Sequence, residues 1–139
     1  MLARHRLRRI CVQCLYQIYL VEKDADDVLE LDWYHKEVES SDKVAIGSLV
    51  RGVLNEKDDI SDTIKQFSKN WAPERIVLLA RIVLEVSIFA LKHPTPDAPS
   101  AVVIAEAIQL TEEFAGKEVV PLVNGILDSY RQSLQSSGS

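Results

Sequence analysis

Four arginines and two tyrosines near the start of the chain are the residues whose types and spacing point most clearly to a binding activity. The set is Arg4, Arg6, Arg8, Arg9, Tyr16 and Tyr19. On a helix turning about 100° per residue, Arg8, Arg9, Tyr16 and Tyr19 fall within a sector roughly 100° wide. Guanidinium groups bind phosphates, and tyrosine rings stack on the bases of single-stranded RNA. The pattern therefore predicts an outward face that binds a polyanion, with a merely solvated, charged chain end as the alternative.

The charge of the chain is unevenly distributed. The net charge is −5 at pH 7, yet residues 1–21 contain four arginines and no acidic side chain. The other 118 residues therefore carry 12 basic and 21 acidic side chains, a balance of −9. A basic segment on an acidic protein attracts a polyanion to one place and repels it elsewhere, so this asymmetry favours polyanion binding.

Cys11 and Cys14 have the spacing of a redox pair or of half a zinc site. A structural zinc needs four ligands, however, and the sequence has no second cysteine pair, while its three histidines are scattered. Both cysteines also fall on the apolar side of the first predicted helix. We therefore expect reduced, buried thiols that hold no metal, because free cysteine is among the most buried residue types.

The sequence contains no pattern that supports catalysis. It has no glycine-rich phosphate loop, no nucleophile elbow and no HExxH motif. Carboxylate pairs such as Asp58-Asp59 and Glu112-Glu113 lie in polar stretches, where capping or solvation explains them better than acid–base chemistry. We therefore expect no enzyme activity and no cofactor.

Asn124 and Gly125 stand inside an apolar, periodic segment. Glycine lowers helix stability by about 1 kcal/mol relative to alanine, so we expect a packing or binding requirement at this position. Close packing of a neighbouring helix is the favoured reason, and contact of this position with a ligand is the alternative.

Composition and apolar spacing predict an all-α protein. The chain has only five glycines and five prolines, too few turn residues for the many turns of an all-β fold. Apolar residues at three- and four-residue spacing predict helices over residues 6–21, 73–92, 100–115 and 119–134, and a weaker pattern predicts one over residues 24–39. The helix over residues 73–92 would begin at Pro73 and is apolar almost all round, so we place it at the centre of the bundle.

Two short helices are predicted from their capping residues. Ser41 or Asp42 can cap the first of them, and Asp58-Asp59 introduces the second. The whole pattern predicts one domain over residues 1–134, followed by a frayed tail over residues 135–139.

No segment of the sequence is suited to a membrane. The most apolar stretch, residues 76–91, contains Arg81 and Glu85, so it is too short and too charged to span a bilayer. No secretory signal precedes the first helix. These observations predict a cytoplasmic protein without membrane contact.

Motifs along nearly the whole chain occur in the order found in one known family. They are an arginine-rich start, Val12-Gln-Cys-Leu-Tyr-Gln17, Asn70-Trp71 with Arg75-Ile76, Arg81-Ile-Val-Leu84, Val102-Val-Ile-Ala-Glu106-Ala-Ile and Val123-Asn-Gly-Ile-Leu-Asp128. This pattern resembles the NusB transcription antitermination family. The last motif, together with Ala-Glu-Ala-Ile upstream, is the most specific part of the resemblance.

The resemblance implies a fold of about seven helices in two packed sub-bundles, and no catalysis. It also implies binding of single-stranded, boxA-type RNA together with the small-subunit ribosomal protein NusE, in the RNA polymerase antitermination complex. The implied RNA-binding residues are Arg4, Arg6, Arg8, Arg9 and Tyr16, with Tyr19 and Asn124 expected on the same surface. Family members occur as monomers and as homodimers, so the resemblance leaves the oligomeric state open.

Departures from the family pattern weaken part of this expectation. Glu112 stands where the family has lysine, and Pro121 where lysine is common, so the expected RNA track lacks two cations and binds RNA more weakly. Two alternatives follow. One is a helical protein-interaction module that has lost boxA recognition, and the other is a detached relative of the NusB-like domain of some RNA methyltransferases.

Overall fold

The structure, a computed structural model, describes residues 2–69 and 76–137 of the chain. These residues contain seven α-helices, and their only strand-like pairing is a single bridge between Thr95 and Ala98. The helices are α1 (Arg4–Leu20), α2 (Ala25–Val28), α3 (Ser40–Asn55), α4 (Lys57–Phe67), α5 (Leu78–Lys92), α6 (Ser100–Phe114) and α7 (Val120–Ser137). The predicted all-α fold of about seven helices is confirmed. Within the described ranges, no helix combines the length and apolar character needed to cross a membrane.

The helices divide between two compact units, Met1–Asn55 and Glu56–Ser139. In the first unit, α1 packs against α2 and α3. The core of this unit consists of apolar side chains that are at most 1% exposed, among them Ile10, Leu15, Ile46, Val50 and Val53. Four of the seven residues on the predicted stripe of α1 are buried, whereas Leu7 and Ile18 are half-buried and Val21 is exposed.

In the second unit, α5 packs against α4, α6 and α7. Ten of its fifteen residues are buried, which confirms the predicted central position of this helix within its unit. Leu84 of α5, Leu110 of α6 and Leu127 of α7 are each at most 1% exposed. A helix that is apolar on all sides is stable only when other helices cover it, and α5 satisfies this condition.

The helix predicted over residues 24–39 is wrong. Asp24 caps a helix as its side chain accepts a hydrogen bond from the Asp26 amide at 2.8 Å, but α2 ends after a single turn at Val28. Leu31 then takes a left-handed backbone conformation (φ 62°), which stops helical propagation. Val28, Leu31, Tyr34 and Val38 recur at three- and four-residue spacing, but the chain buries Leu31 and Val38 through turns and not along a helix.

Helices α3, α4 and α5 begin at other residues than predicted. Lys57 is the first residue of α4, so Asp58 and Asp59 lie inside its first turn. Ser40 is the first residue of α3, so Asp42 lies inside the first turn, where its buried carboxylate accepts a hydrogen bond from the Leu2 amide at 3.0 Å. The central helix begins at Leu78 because Val77 is extended (ψ 133°). Pro73, the predicted first residue of that helix, lies outside the described residues.

The last two helices follow the prediction closely. Pro99 precedes the first residue of α6, and Gly116 follows its end with a φ of 104°, a conformation that L side chains rarely adopt. A short 3₁₀ turn, Lys117–Val119, then leads into α7. This helix continues to Ser137, so residues 135–137 of the predicted frayed tail are helical.

Candidate nucleic-acid interface

One side of α1 presents Arg6, Arg9, Gln13 and Tyr16 in a continuous stripe. At about 100° per residue, these four positions fall within roughly 80° of the helix surface. Arg6 and Arg9 are exposed, and Gln13 and Tyr16 are half-buried. Two guanidinium groups and a tyrosine ring therefore line one side of the helix, an arrangement suited to phosphates and stacked bases.

The other predicted binding residues of α1 are less accessible. Arg8 and Tyr19 are half-buried, and the Nε and Nη1 atoms of Arg8 are buried, as is Nη2 of Arg4. Tyr16 is half-buried as well, so Arg9 is the exposed member of the predicted outward face, and RNA binding by Arg8, Tyr16 and Tyr19 stays a prediction. Val12, which lies between Tyr19 and Tyr16 on the helix surface, has no exposed area, so the buried side of α1 is wider than its apolar stripe indicated.

A cavity of 450 Å³ borders the exposed stripe within the first unit. Its lining residues are Arg6, Arg9, Ile10 and Gln13 from α1, and Trp33, Tyr34, His35 and Lys36 from the segment after α2. Among these eight described residues are three permanent cations and no carboxylate. Sequence reasoning missed residues 33–36 because it assigned them to a helix. The signal that could have found them is the run Trp33-Tyr34-His35-Lys36, in which two aromatic residues and a histidine precede a lysine.

Local contacts fix the aromatic wall of this cavity. The indole Nε1 of Trp33 donates a hydrogen bond to the Val28 carbonyl at 2.9 Å. The rings of Trp33 and Tyr34 meet edge to face, with centroids 5.9 Å apart and an interplanar angle of 85°. The ring of His35 lies 4.5 Å from that of Tyr34. Trp33 and Tyr34 are half-buried, so each keeps part of its surface open.

Cys11 and Cys14 are free thiols without exposed surface, and their predicted burial is confirmed. Burial raises the pKa of Cys11 far above its ordinary value; the neighbouring Cys14 adds to this shift, and the Arg8 charge opposes it. Burial also raises the pKa of Cys14 to about 12. Both groups are thus protonated at neutral pH, whereas nucleophilic attack and metal binding need the thiolate. No group of three potential metal ligands occurs in residues 2–69 and 76–137.

Asn124 and Gly125 lie on an exposed part of α7, in the second unit. The favoured explanation of Gly125, close packing of a neighbouring helix, is wrong because a Cβ placed there would meet no atom within 4 Å. Gly125 lines an open cavity of 310 Å³ together with Phe67, Lys69 and Leu122. The placement of Asn124 on the same surface as the arginines stays a prediction.

Comparison with known proteins identifies close similarity over nearly the whole chain. The model of the NusB family matches residues 5–132. The transcription antitermination protein NusB of Leptospira biflexa serovar Patoc is 41% identical over 131 residues, which cover 94% of this chain and 92% of that protein. The protein of the same name from Myxococcus xanthus is 36% identical over 130 residues, covering 91% of this chain and 92% of the relative.

Solved structures share the arrangement of helices. T. maritima NusB matches with a TM-score of 0.81 at 24% identity, over 94% of this chain and 92% of that chain. A structure of the antitermination factors NusB and NusE in complex with dsRNA matches with a TM-score of 0.80 at 16% identity, over 95% of this chain and 99% of that chain. At these identities the matches establish a common fold.

Proposed function

The chain belongs to the NusB family, and from this premise we propose that it is a transcription antitermination factor. It binds single-stranded, boxA-type RNA together with the ribosomal protein NusE, and acts with them in the RNA polymerase antitermination complex. It performs no catalysis. The activity takes place in the cytoplasm, where nascent RNA and ribosomal proteins meet.

The observation that carries this proposal is the 41% identity to a transcription antitermination protein along 131 residues. Similarity at this level extends over both helical units, so it covers more than a single motif. The solved complex of similar fold contains NusE, the protein partner proposed for this chain, together with double-stranded RNA.

The stripe on α1 supports RNA as the ligand. Arg6 and Arg9 are exposed cations on a protein of net charge −5, so they concentrate positive potential on one side of one helix. Tyr16 continues the same side and offers a ring on which a base can stack. Arg4 and Arg8 contribute less to phosphate binding because part of each guanidinium is buried.

The proposal is tested by measuring RNA affinity as a function of salt. Each phosphate contact on a single strand contributes about −0.7 to the logarithmic slope of affinity against salt concentration. The double variant Arg6→Ala/Arg9→Ala should therefore reduce the magnitude of the slope by about 1.4. Tyr16→Ala should weaken binding by about 1–3 kcal/mol and leave the slope nearly unchanged, because stacking releases no counterions.

The matched control is Lys23→Ala/Lys65→Ala, which removes two exposed cations that belong neither to the stripe nor to the cavity wall. It should change neither the slope nor the preference for a boxA-like strand over a scrambled one. Equal affinity for the two strands would contradict boxA recognition. If the wild-type protein binds NusE but no RNA, the result would identify a protein-interaction module instead.

A further inference from the structure

The cavity between α1 and residues 33–36 combines the two features that a nucleotide requires. Arg6, Arg9 and Lys36 supply three positive charges, and no carboxylate is present among the described residues that line it. The wall of the cavity therefore attracts an anion, although Asp32 and Glu37 flank residues 33–36 in the chain. The volume of 450 Å³ lies within the range of about 300–1,000 Å³ that is usual for small-molecule sites.

The aromatic wall supplies the second feature. Hydrogen bonding to Val28 and the edge-to-face contact with Tyr34 hold the indole of Trp33 in place, so little side-chain entropy remains to be lost on binding. Both rings are half-buried and line the cavity. A planar base fits such a wall, because the face of any base can stack on an aromatic ring.

We propose that this cavity binds one nucleotide of the RNA strand, with its phosphate against Arg6, Arg9 and Lys36 and its base against Trp33 and Tyr34. This inference rests on the proposed function, since it assigns a further contact to the same RNA. The aromatic wall of the site lies outside every motif that indicated RNA binding in the sequence, because residues 33–36 belong to none of them.

The cavity and Tyr16 lie on one track. Arg6, Arg9 and Gln13 belong both to the exposed stripe of α1 and to the cavity wall. With a rise of about 1.5 Å per residue, Arg6 and Tyr16 are roughly 15 Å apart along the helix axis. A strand that stacks on Tyr16 can therefore follow the stripe to the cavity. An acidic peptide would be attracted by the same cations, but it carries no base for the aromatic wall.

The test measures RNA affinity in variants of the segment after α2. The variants of the salt experiment described above leave that segment unchanged. Tyr34→Ala removes the ring and should weaken binding about 5-fold to 150-fold, the range of one lost stacking contact. Tyr34→Phe retains the ring and should restore most of the affinity. Lys36→Glu reverses one charge of the cavity and should reduce the magnitude of the salt slope by about 0.7 or more.

Lys23→Glu is the matched control, because it reverses an exposed lysine of the same unit that does not line the cavity. Its RNA affinity should exceed that of Lys36→Glu. Stacking can be observed directly in a Trp71→Phe background, where Trp33 is the remaining tryptophan of the sequence. Saturating RNA should then quench its fluorescence, and Tyr34→Ala should reduce the quenching.

The outcomes separate this inference from the proposed function. If the wild-type protein binds RNA through Arg6, Arg9 and Tyr16 while Tyr34→Ala and Lys36→Glu bind as tightly as Lys23→Glu, the nucleotide site is refuted and the proposed function stands. If the wild-type protein binds no RNA, the proposed function fails first. RNA-independent binding of an acidic peptide that competes at Lys36 would also overturn the nucleotide assignment.

Discussion

Arg8 and Arg9 are neighbours in the chain, yet the fold gives their side chains opposite surroundings. Arg9 is exposed and lines the cavity, whereas Arg8 has buried guanidinium atoms and lowers, by its charge, the pKa of the Cys11 thiol. One residue means a rotation of about 100° on a helix, enough to carry a side chain from solvent to the packed side. RNA binding by α1 should therefore depend on Arg9 more than on Arg8.

The two thiols of α1 should be almost unreactive in the folded protein. Burial raises the pKa of Cys14 from 9.0 to about 12, so at pH 8 the thiolate fraction falls about a thousandfold. Cys11 is buried as completely and should react no faster. Labelling with a thiol-specific chromogenic disulfide should be slow in buffer and rapid for both cysteines in urea. Rapid native labelling of one thiol, or release of stoichiometric zinc, would contradict the buried environment.

Glu56 should contribute to acid sensitivity in the second unit. Its carboxylate oxygens lie 2.9 Å from Lys92 Nζ and 2.7 Å from His93 Nε2, and Asp59 lies 3.8 Å from the same Nζ. The hydrogen bond from Lys92, and then those with His93, lower the pKa of Glu56 below its ordinary 4.5. A lowered folded-state pKa stabilises the protein above the unfolded value, and this stabilisation is lost as the pH falls through the folded value.

Glu56→Gln isolates that contribution. The difference in unfolding free energy between wild type and variant should shrink as the pH falls below 4.5, because protonation of Glu56 then removes from the wild type the negative charge that the variant lacks at every pH. Denaturant titrations between pH 3 and 7 measure it. The exposed Glu30→Gln should give a small difference at every pH. A pH-independent difference for Glu56→Gln would argue against the pairing with Lys92.

At the level of elements, Gly116, which follows α6, and Gly125, which lies within α7, have contrasting roles. Gly116 has a φ of 104° and its amide donates to the Thr111 carbonyl at 2.9 Å, so it ends α6 in a conformation that alanine resists. Gly125 lies inside α7 with open space around it. Only the first glycine is required by the fold.

Alanine substitutions should therefore have opposite effects at these positions. Gly125→Ala should raise the free energy of unfolding by about 0.4–1 kcal/mol, because it lowers the entropy of the unfolded chain and meets no atom. Gly116→Ala should lower it by about 1–3 kcal/mol because of backbone strain. Thermal and denaturant unfolding experiments measure the free energy of unfolding of both variants. Destabilisation by Gly125→Ala would show that a neighbour approaches α7 more closely than the structure indicates.

Helices with a regular apolar stripe were predictable from the sequence, and irregular segments were not. The spacing in α1 and α6 is periodic, and both helices lie within two residues of their predicted bounds. Residues 29–39 bury Leu31 and Val38 through turns, although Leu31, Tyr34 and Val38 recur at three- and four-residue spacing. The same difference applies to the candidate site. The arginines were visible as a charge cluster, but the cavity depends on a turn that brings Trp33 beside α1.

At the scale of the molecule, α5 is the helix around which the second unit packs. Leu84 has no exposed surface, and α5 packs against three other helices of that unit. Leu84→Ala should lower the free energy of unfolding by about 2–5 kcal/mol, because it leaves a cavity in a packed core. Val102→Ala, at a side chain that is 38% exposed on α6, should change it by less than about 0.5 kcal/mol. Similar values for the two variants would refute the central position of α5.

The irregular segment after α2 has a consequence for the timescale on which the first unit opens. Turn hydrogen bonds such as Leu31 to Val28 and Tyr34 to Leu31, both 3.1 Å, replace a helical ladder there. Such segments open locally at a small free-energy cost, whereas a packed helix opens only with its whole unit. Amide hydrogens of residues 29–39 should thus exchange with deuterium well before those in the middle of α1. A ligand held by Trp33 and Tyr34 would slow exchange of the amides of residues 29–39, which form one side of the cavity.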